Sequence, residues 1–316
     1  MTIEAKAGDR VNATDEPPLA SRMLARYLHT QRETIMDGQI AVHDDPDAVG
    51  DMVIAARRAR CALSAYRPAV RHEPEVRRLI EELRWFGINV SAAHELRAQA
   101  ARLHEAVDLL RPRYVRGPVR ARMTNYFHTR TRPAWRAARD MFGSPRFPAL
   151  IEDLMCEERL LNAGLVPGID DSDNAVVLAA LLERVRRRMR AVESARDEDG
   201  TDASMHDLRK ALRRTRYYLE SVHEMNPARS AQAADGLAAV QDLLGQNQDA
   251  AVAKQHLIQL TREAENAGES TFTYGLLLQR EIDRTTICAA GLPAVYWRSL
   301  RAVRAMADVH ADAPLD

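Results

Sequence analysis

Long apolar runs are missing from this chain. No stretch reaches the roughly eighteen apolar residues that a membrane-spanning helix needs, and no apolar region follows a basic start, so no export signal is read. Cysteine is scarce: Cys61, Cys156 and Cys288 are odd in number and far apart, and no two are spaced as metal ligands. They are expected to be reduced residues in or near the core of a cytoplasmic protein. Aromatic residues make up only 5% of the chain, which suits helices packed through Leu and Ala better than sheets. An excess of one charge is also lacking, because 45 basic side chains face 45 acidic ones. That balance disfavours a nucleic-acid binder that is basic all over.

Catalytic signatures are absent as well. There is no HExxH and no Walker A loop. The dipeptides His43-Asp44 and His206-Asp207 lack the outlying His and Asp ligands of an HD-type metal phosphohydrolase. His94 and His104 are ten positions apart, so on a helix they face different ways and make no zinc pair. The expectation is a protein that is not an enzyme and that carries no metal and no cofactor.

What the chain does have is a concentrated basic stretch, Met205–Glu220, MHDLRKALRRTRYYLE. It contains no Gly or Pro and is rich in helix formers, so a helix is expected. On a helix His206, Arg209, Arg213, Arg216, Tyr217 and Glu220 recur at spacings of three and four, forming a polar seam. Leu208, Ala211, Leu212, Thr215 and Leu219 form a separate stripe for the core. Arg209, Lys210, Arg213, Arg214 and Arg216 repel one another at that spacing. A cationic row that disfavours its own helix points to an anionic ligand, the plain alternative being a solvated basic face.

The stretch has a second copy. Shifted back by 156 positions, Ser204–Val222 lies over Ala48–Tyr66 without a gap. Asp207, Ala211, Arg213, Arg214, Arg216 and Leu219 then meet Asp51, Ala55, Arg57, Arg58, Arg60 and Leu63. Matched arginines half a chain apart imply two similar halves, whose basic rows a pseudo-dyad would bring to one central groove. The motif His-x-x-Arg followed by Arg-Arg-x-Arg-Tyr and a Glu resembles the CHAD domain, the conserved histidine α-helical domain. The resemblance extends to VQDLLGQNQDAAVA (Val240–Ala253), ESTFTYGLLLQRE (Glu269–Glu281) and GPVRARM (Gly117–Met123), and covers about Leu19 to Asp312. It implies an all-helical, pseudo-two-fold domain whose basic central pore binds inorganic polyphosphate. The E-x-E-x-K motif of the triphosphatase domain that often accompanies the family does not occur. The first copy departs from the pattern: Gly50 stands at the position of the His and Val53 at that of the Arg. Ser91-Ala92-Ala93-His94-Glu95 stands where Gly-x-x-Arg-Asp is expected.

Read in order, residues 1–18 are expected to be a disordered leader and 19–312 a single domain, with halves at about 19–163 and 172–312. The join falls in Gly164–Ser172. Helices are expected over Leu19–Met36, from the Asp44-Asp45-Pro46-Asp47 turn to Tyr66, and from Glu75 to Leu110 with a bend near Gly87. Others should run from Gly117-Pro118, over Phe147–Leu161 and over Asn174–Ala195. Asp197–Ser204 reads as a flexible acidic loop, Ala228–Ala264 as a helix kinked near Gly245, and Gly291-Leu292-Pro293 as the break between the last two helices. The class is all-α: two pseudo-symmetric helical-bundle halves, roughly ten helices in all, around a basic central groove. Arg57, Arg58, Arg60, His206, Arg209, Lys210, Arg213, Arg214, Arg216 and Tyr217 are the residues expected to hold polyphosphate. Of Arg184–Arg190, about two are assigned to the groove and the rest to the surface. Gly50 and Val53 favour a different reading, a helical protein–protein scaffold that has lost its anion. Sequence-specific nucleic acid and membranes are not expected partners. A protein partner, a homodimer and association with polyphosphate granules stay open.

Overall fold

In a computed structural model, the structure describes residues 19–41, 48–66, 74–155, 171–225 and 227–307. Nine α-helices and no strand occur among them: α1 (Leu19–Ala41), α2 (Ala48–Ala65), α3 (Pro74–Asp108), α4 (Val119–Phe142), α5 (Arg146–Met155), α6 (Asp171–Ser194), α7 (Glu198–Ser221), α8 (Pro227–Asn266) and α9 (Phe272–Ala307). The all-α expectation holds. The expected leader, the Asp44–Asp47 turn, Cys156 and most of the Gly164–Ser172 join lie outside the described residues.

The two arginine-bearing segments are α2 and α7, and each sits second in a run of four sequentially packed helices. In the first run α1 packs on α2, α2 on α3 and α3 on α4. In the second α6 packs on α7, α7 on α8 and α8 on α9. The runs meet where α2 crosses α7. At that crossing the rings of Tyr66 and Tyr218 are 5.5 Å apart. Both hydroxyls donate to Asn174 Oδ1, at 2.9 and 3.0 Å, so one buried amide of α6 pins the two halves together. One apolar core runs through both halves, from Leu24 and Leu28 through Met52 and Leu63 to Leu208, Leu219 and Leu292. A second cluster joins the far ends of α3 and α8 to the near ends of α4 and α9, through Leu103, Met123, Phe127, Leu257 and Tyr274.

Two expectations are corrected. Asp197–Ser204 is not a loop but the first turns of α7. Asp197 caps it, accepting from the Gly200 N–H at 2.6 Å, and Glu198 and Asp199 suit the positive end of the helix dipole. Gly291-Leu292-Pro293 does not break the last helix: α9 runs unbroken through it. Cys288, Leu292, Tyr296 and Leu300, four apart, are all buried in the main core, and that continuous stripe outweighs the local cost of Gly and Pro. The two final helices are therefore one. α3 and α8 each run as one helix through Gly87 and Gly245, as expected. Gly117, with φ of +82°, turns the chain into α4. Gly38 brings α1 close to α2, since a Cβ there would lie 2.2 Å from Met52 Cγ.

Candidate functional site

Arg57 from α2 and Arg209, Arg213 and Tyr217 from α7 line one groove of about 540 Å³, walled on the far side by Gln241, Gly245 and Asp249 of α8. Their convergence follows from the repeat. Arg57 and Arg213 hold matching positions in crossing helices, so the α2–α7 contact places one guanidinium near the other. Among the described residues, no carboxylate lies within ion-pair distance of Arg57, Arg209 or Arg213. Arg213 Nε is buried and has no hydrogen-bond partner. Burial, with the charges of Arg57 and Arg209 beside it, pushes the Arg213 guanidinium down to about 10. Burial and Arg57 lower Arg209 too, opposed by Asp249, Tyr217 and Glu95. Three cations held together, none of them in an ion pair, make a site that favours an anion.

The other sequence-derived residues sort into distinct surroundings. Arg58 and Arg216 both donate to Glu220, Arg58 Nε to Oε2 at 3.1 Å and Arg216 Nε to Oε1 at 3.0 Å. Arg216 Nη1 also reaches Gln241 Oε1 at 2.9 Å, and the Arg58 guanidinium lies 5.6 Å from the Tyr217 ring centre. Tyr217 is itself buried. Arg60 and Arg214 feel each other's charge, and Arg214 acts in the same way on Arg184 of α6. Burial lowers Arg60, with Arg57, Arg214 and Arg84 adding repulsion, and Arg184 is lowered by burial and by Arg214. Of the α6 arginines, Arg184 is thus the one whose charge acts on this cluster most directly. Arg186 and Arg190 instead meet Glu183, each at 3.5 Å, and Arg188 meets Asp207 at 3.1 Å. Lys210 is exposed and paired with Asp207 at 2.6 Å, outside the groove lining. His206 sits at the head of the row, its Nδ1 bonded to Gln248 Oε1.

Glu220, Gln241, Gln248 and Asp249 belong to the site and were not singled out as binding residues from the sequence. The signal was present: on α8 Gln241, Gly245, Gln248 and Asp249 recur at helical spacing and share one face. Cys61 and Cys288 are buried free thiols, and no cluster of metal-ligating side chains occurs among the described residues. No described helix is long and apolar enough to cross a membrane.

A family model described as the CHAD domain matches residues 26–258. Two curated relatives from Mycobacterium tuberculosis, the uncharacterized proteins MT2285 of strain CDC 1551 and Rv2226 of strain H37Rv, are each 31% identical over 289 residues. The match covers 90% of this chain and 54% of theirs. The chain thus spans about half the length of the curated relatives it matches. Among solved structures, the CHAD domain from the plant Ricinus communis aligns with a TM-score of 0.68 at 22% identity, covering 92% of this chain and 94% of that one. PptA from Streptomyces chartreusis aligns with a TM-score of 0.66 at 19% identity, covering 89% of this chain and all of its own. At these identities the two structures bear on the fold alone.

Proposed function

The chain belongs to the CHAD domain family, and from that premise we propose that it binds inorganic polyphosphate, without catalysis, along the arginines of α2 and α7. The observation that carries this reading is the convergence of Arg57, Arg209 and Arg213 on one groove with no carboxylate paired to them and with Arg213 Nε left unbonded. A guanidinium matches phosphate oxygens in a bidentate fork, and a chain of phosphates presents such oxygens at every step. Arg58, Arg60, Arg214 and Arg216 extend the cation row along the helix pair, and His206 and Tyr217 offer donors at its edges. The reading places the protein in the cytoplasm, where polyphosphate granules are a natural location for it.

A second reading has its own observation. Val53 is buried where the repeat would place an arginine, so the first half brings fewer cations to the groove than the second. In that reading the helices serve as a scaffold for another protein. Calorimetric titration with long-chain polyphosphate at two salt concentrations, beside tripolyphosphate and single-stranded DNA, separates the two. Tight binding that prefers the long chain and weakens with salt supports the polyphosphate site. No binding at low salt rejects it and leaves the scaffold.

A further inference from the structure

The repeat register shows what became of the first half's missing histidine. His206 precedes Arg213 by seven residues, and Gly50 precedes Arg57 by the same seven. In the second half the α7 imidazole meets Gln248 of α8. In the first half the residue facing Gly50 is His94 of α3. A Cβ built on Gly50 would lie 3.0 Å from His94 Cε1, 3.5 Å from Nε2 and 3.7 Å from Nδ1. The ring therefore fills the space that a side chain at position 50 would need. α3 and α8 are counterparts in the two runs of helices, so the pair His206–Gln248 on one side corresponds to Gly50–His94 on the other. An imidazole from α3 thus lies against the point where a side chain at position 50 would start.

We propose that His94 supplies, from α3, the first-half imidazole of the anion site, so that each half offers the anion one imidazole donor beside the arginine groove. Glycine at position 50 gives the ring its room, since a Cβ there would press on it and force it to shift. Two further observations bear on the access of His94 to the anion. It is half-buried rather than enclosed, and its chain neighbour Glu95 acts electrostatically on Arg209, which lines the groove. Gly50 is then a compensated change and not a lost site. The inference rests on the polyphosphate reading, and it adds a residue that the repeat of α2 and α7 does not contain.

The test is titration of the full chain with long-chain polyphosphate, using His94→Ala, His94→Gln, Arg213→Ala and the double variant Gly50→His with His94→Gln. Thermal unfolding confirms that each variant is folded. His94→Ala and His94→Gln should each weaken binding about tenfold, the loss of one charge-assisted hydrogen bond. The double variant rebuilds the second half's His–Gln pair in the first half and should recover most of that loss. Unchanged binding by folded His94→Ala or His94→Gln overturns the inference. So does a loss that a folded double variant fails to recover, which would make His94 a packing residue. If Arg213→Ala binds unchanged as well, the polyphosphate reading itself has failed. Weakened Arg213→Ala beside unchanged His94 variants refutes only the role of His94.

Discussion

Arg58 Nε donates to Glu220 Oε2 at 3.1 Å, tying the arginine helix of one half to that of the other. The same carboxylate takes Arg216 Nε at 3.0 Å and the Tyr27 hydroxyl at 3.2 Å. In the register of the repeat Glu220 corresponds to Ser64, while Arg58 and Arg216 correspond to Arg214 and Arg60. One flank of the helix pair holds an acid between two guanidiniums, and the matching flank has a hydroxyl there. Glu220→Gln should therefore free Arg58 and Arg216 for the ligand, raising polyphosphate affinity a few-fold. It should cost about 1 kcal/mol of stability, because the three side chains are partly exposed and screened. Ser64→Glu should act in the opposite sense and weaken binding. Titration and urea unfolding of both variants check this. Equal affinity in the two would mean that these flanks do not meet the anion.

Arg213 has no partner to lose, and its charge is crowded by Arg57 and Arg209. Arg213→Ala should cost about 1–3 kcal/mol of polyphosphate affinity and flatten the salt dependence by about one counterion. The same change removes repulsion from the α2–α7 crossing, so the melting temperature should hold or rise. A purely structural arginine would give the reverse pattern, with binding kept and stability lost.

The arginine seam was legible in the sequence because it is local: cations at helical spacing within one segment, then repeated. Helix class and most helix starts were legible for the same reason. What escaped notice depends on contacts between distant segments. Whether Gly291 and Pro293 interrupt a helix is decided by the buried stripe Cys288, Leu292, Tyr296 and Leu300 against the core, which no local propensity reports. His94 looked idle because its meaning depends on Gly50, 44 positions earlier, and on the parallel pair His206–Gln248. Acidic Asp197–Ser204 read as a loop because its cap residue and its flexibility signals, Gly200 and the acids, are the same residues.

Asp249 opens to solvent through the groove, yet enough protein surrounds it that burial raises its pKa, against the pull of Arg102 and Arg209. A carboxyl raised in the folded state holds its proton where the unfolded chain has released it. Its contribution to stability is therefore present at low pH and is lost as pH rises through the raised value. Anion binding should follow the same direction, tightening as pH falls just above the usual carboxylate range and the groove loses a negative charge. Asp249→Asn should bind polyphosphate more tightly than wild type at neutral pH and lose that part of the pH dependence. Titrations of both proteins from pH 4 to 8, a range chosen to bracket roughly the carboxylate pKa values, would show it. Parallel pH profiles would rule Asp249 out of the groove's charge balance.

The head of α7 is held to α8 by Lys254. Its Nζ donates to Asp202 Oδ2 at 2.6 Å and to Glu198 Oε1. The Lys254 side chain is only 9% exposed and that of Asp202 15%, so this pair is shielded as the surface pairs are not. Lys254→Met keeps the apolar stem but leaves the Asp202 carboxylate without its cation, and should cost about 2–3 kcal/mol of unfolding free energy. Adding Asp202→Asn removes the stranded charge and should restore part of that loss, because an uncompensated buried carboxylate costs more than an absent pair. Urea unfolding of the two variants decides it. A double variant no more stable than the single one would show that the lysine acts through packing alone. Because the same turns lead into Arg209 and Arg213 of α7, the single variant should also weaken polyphosphate binding, and the double variant should recover it in step with stability.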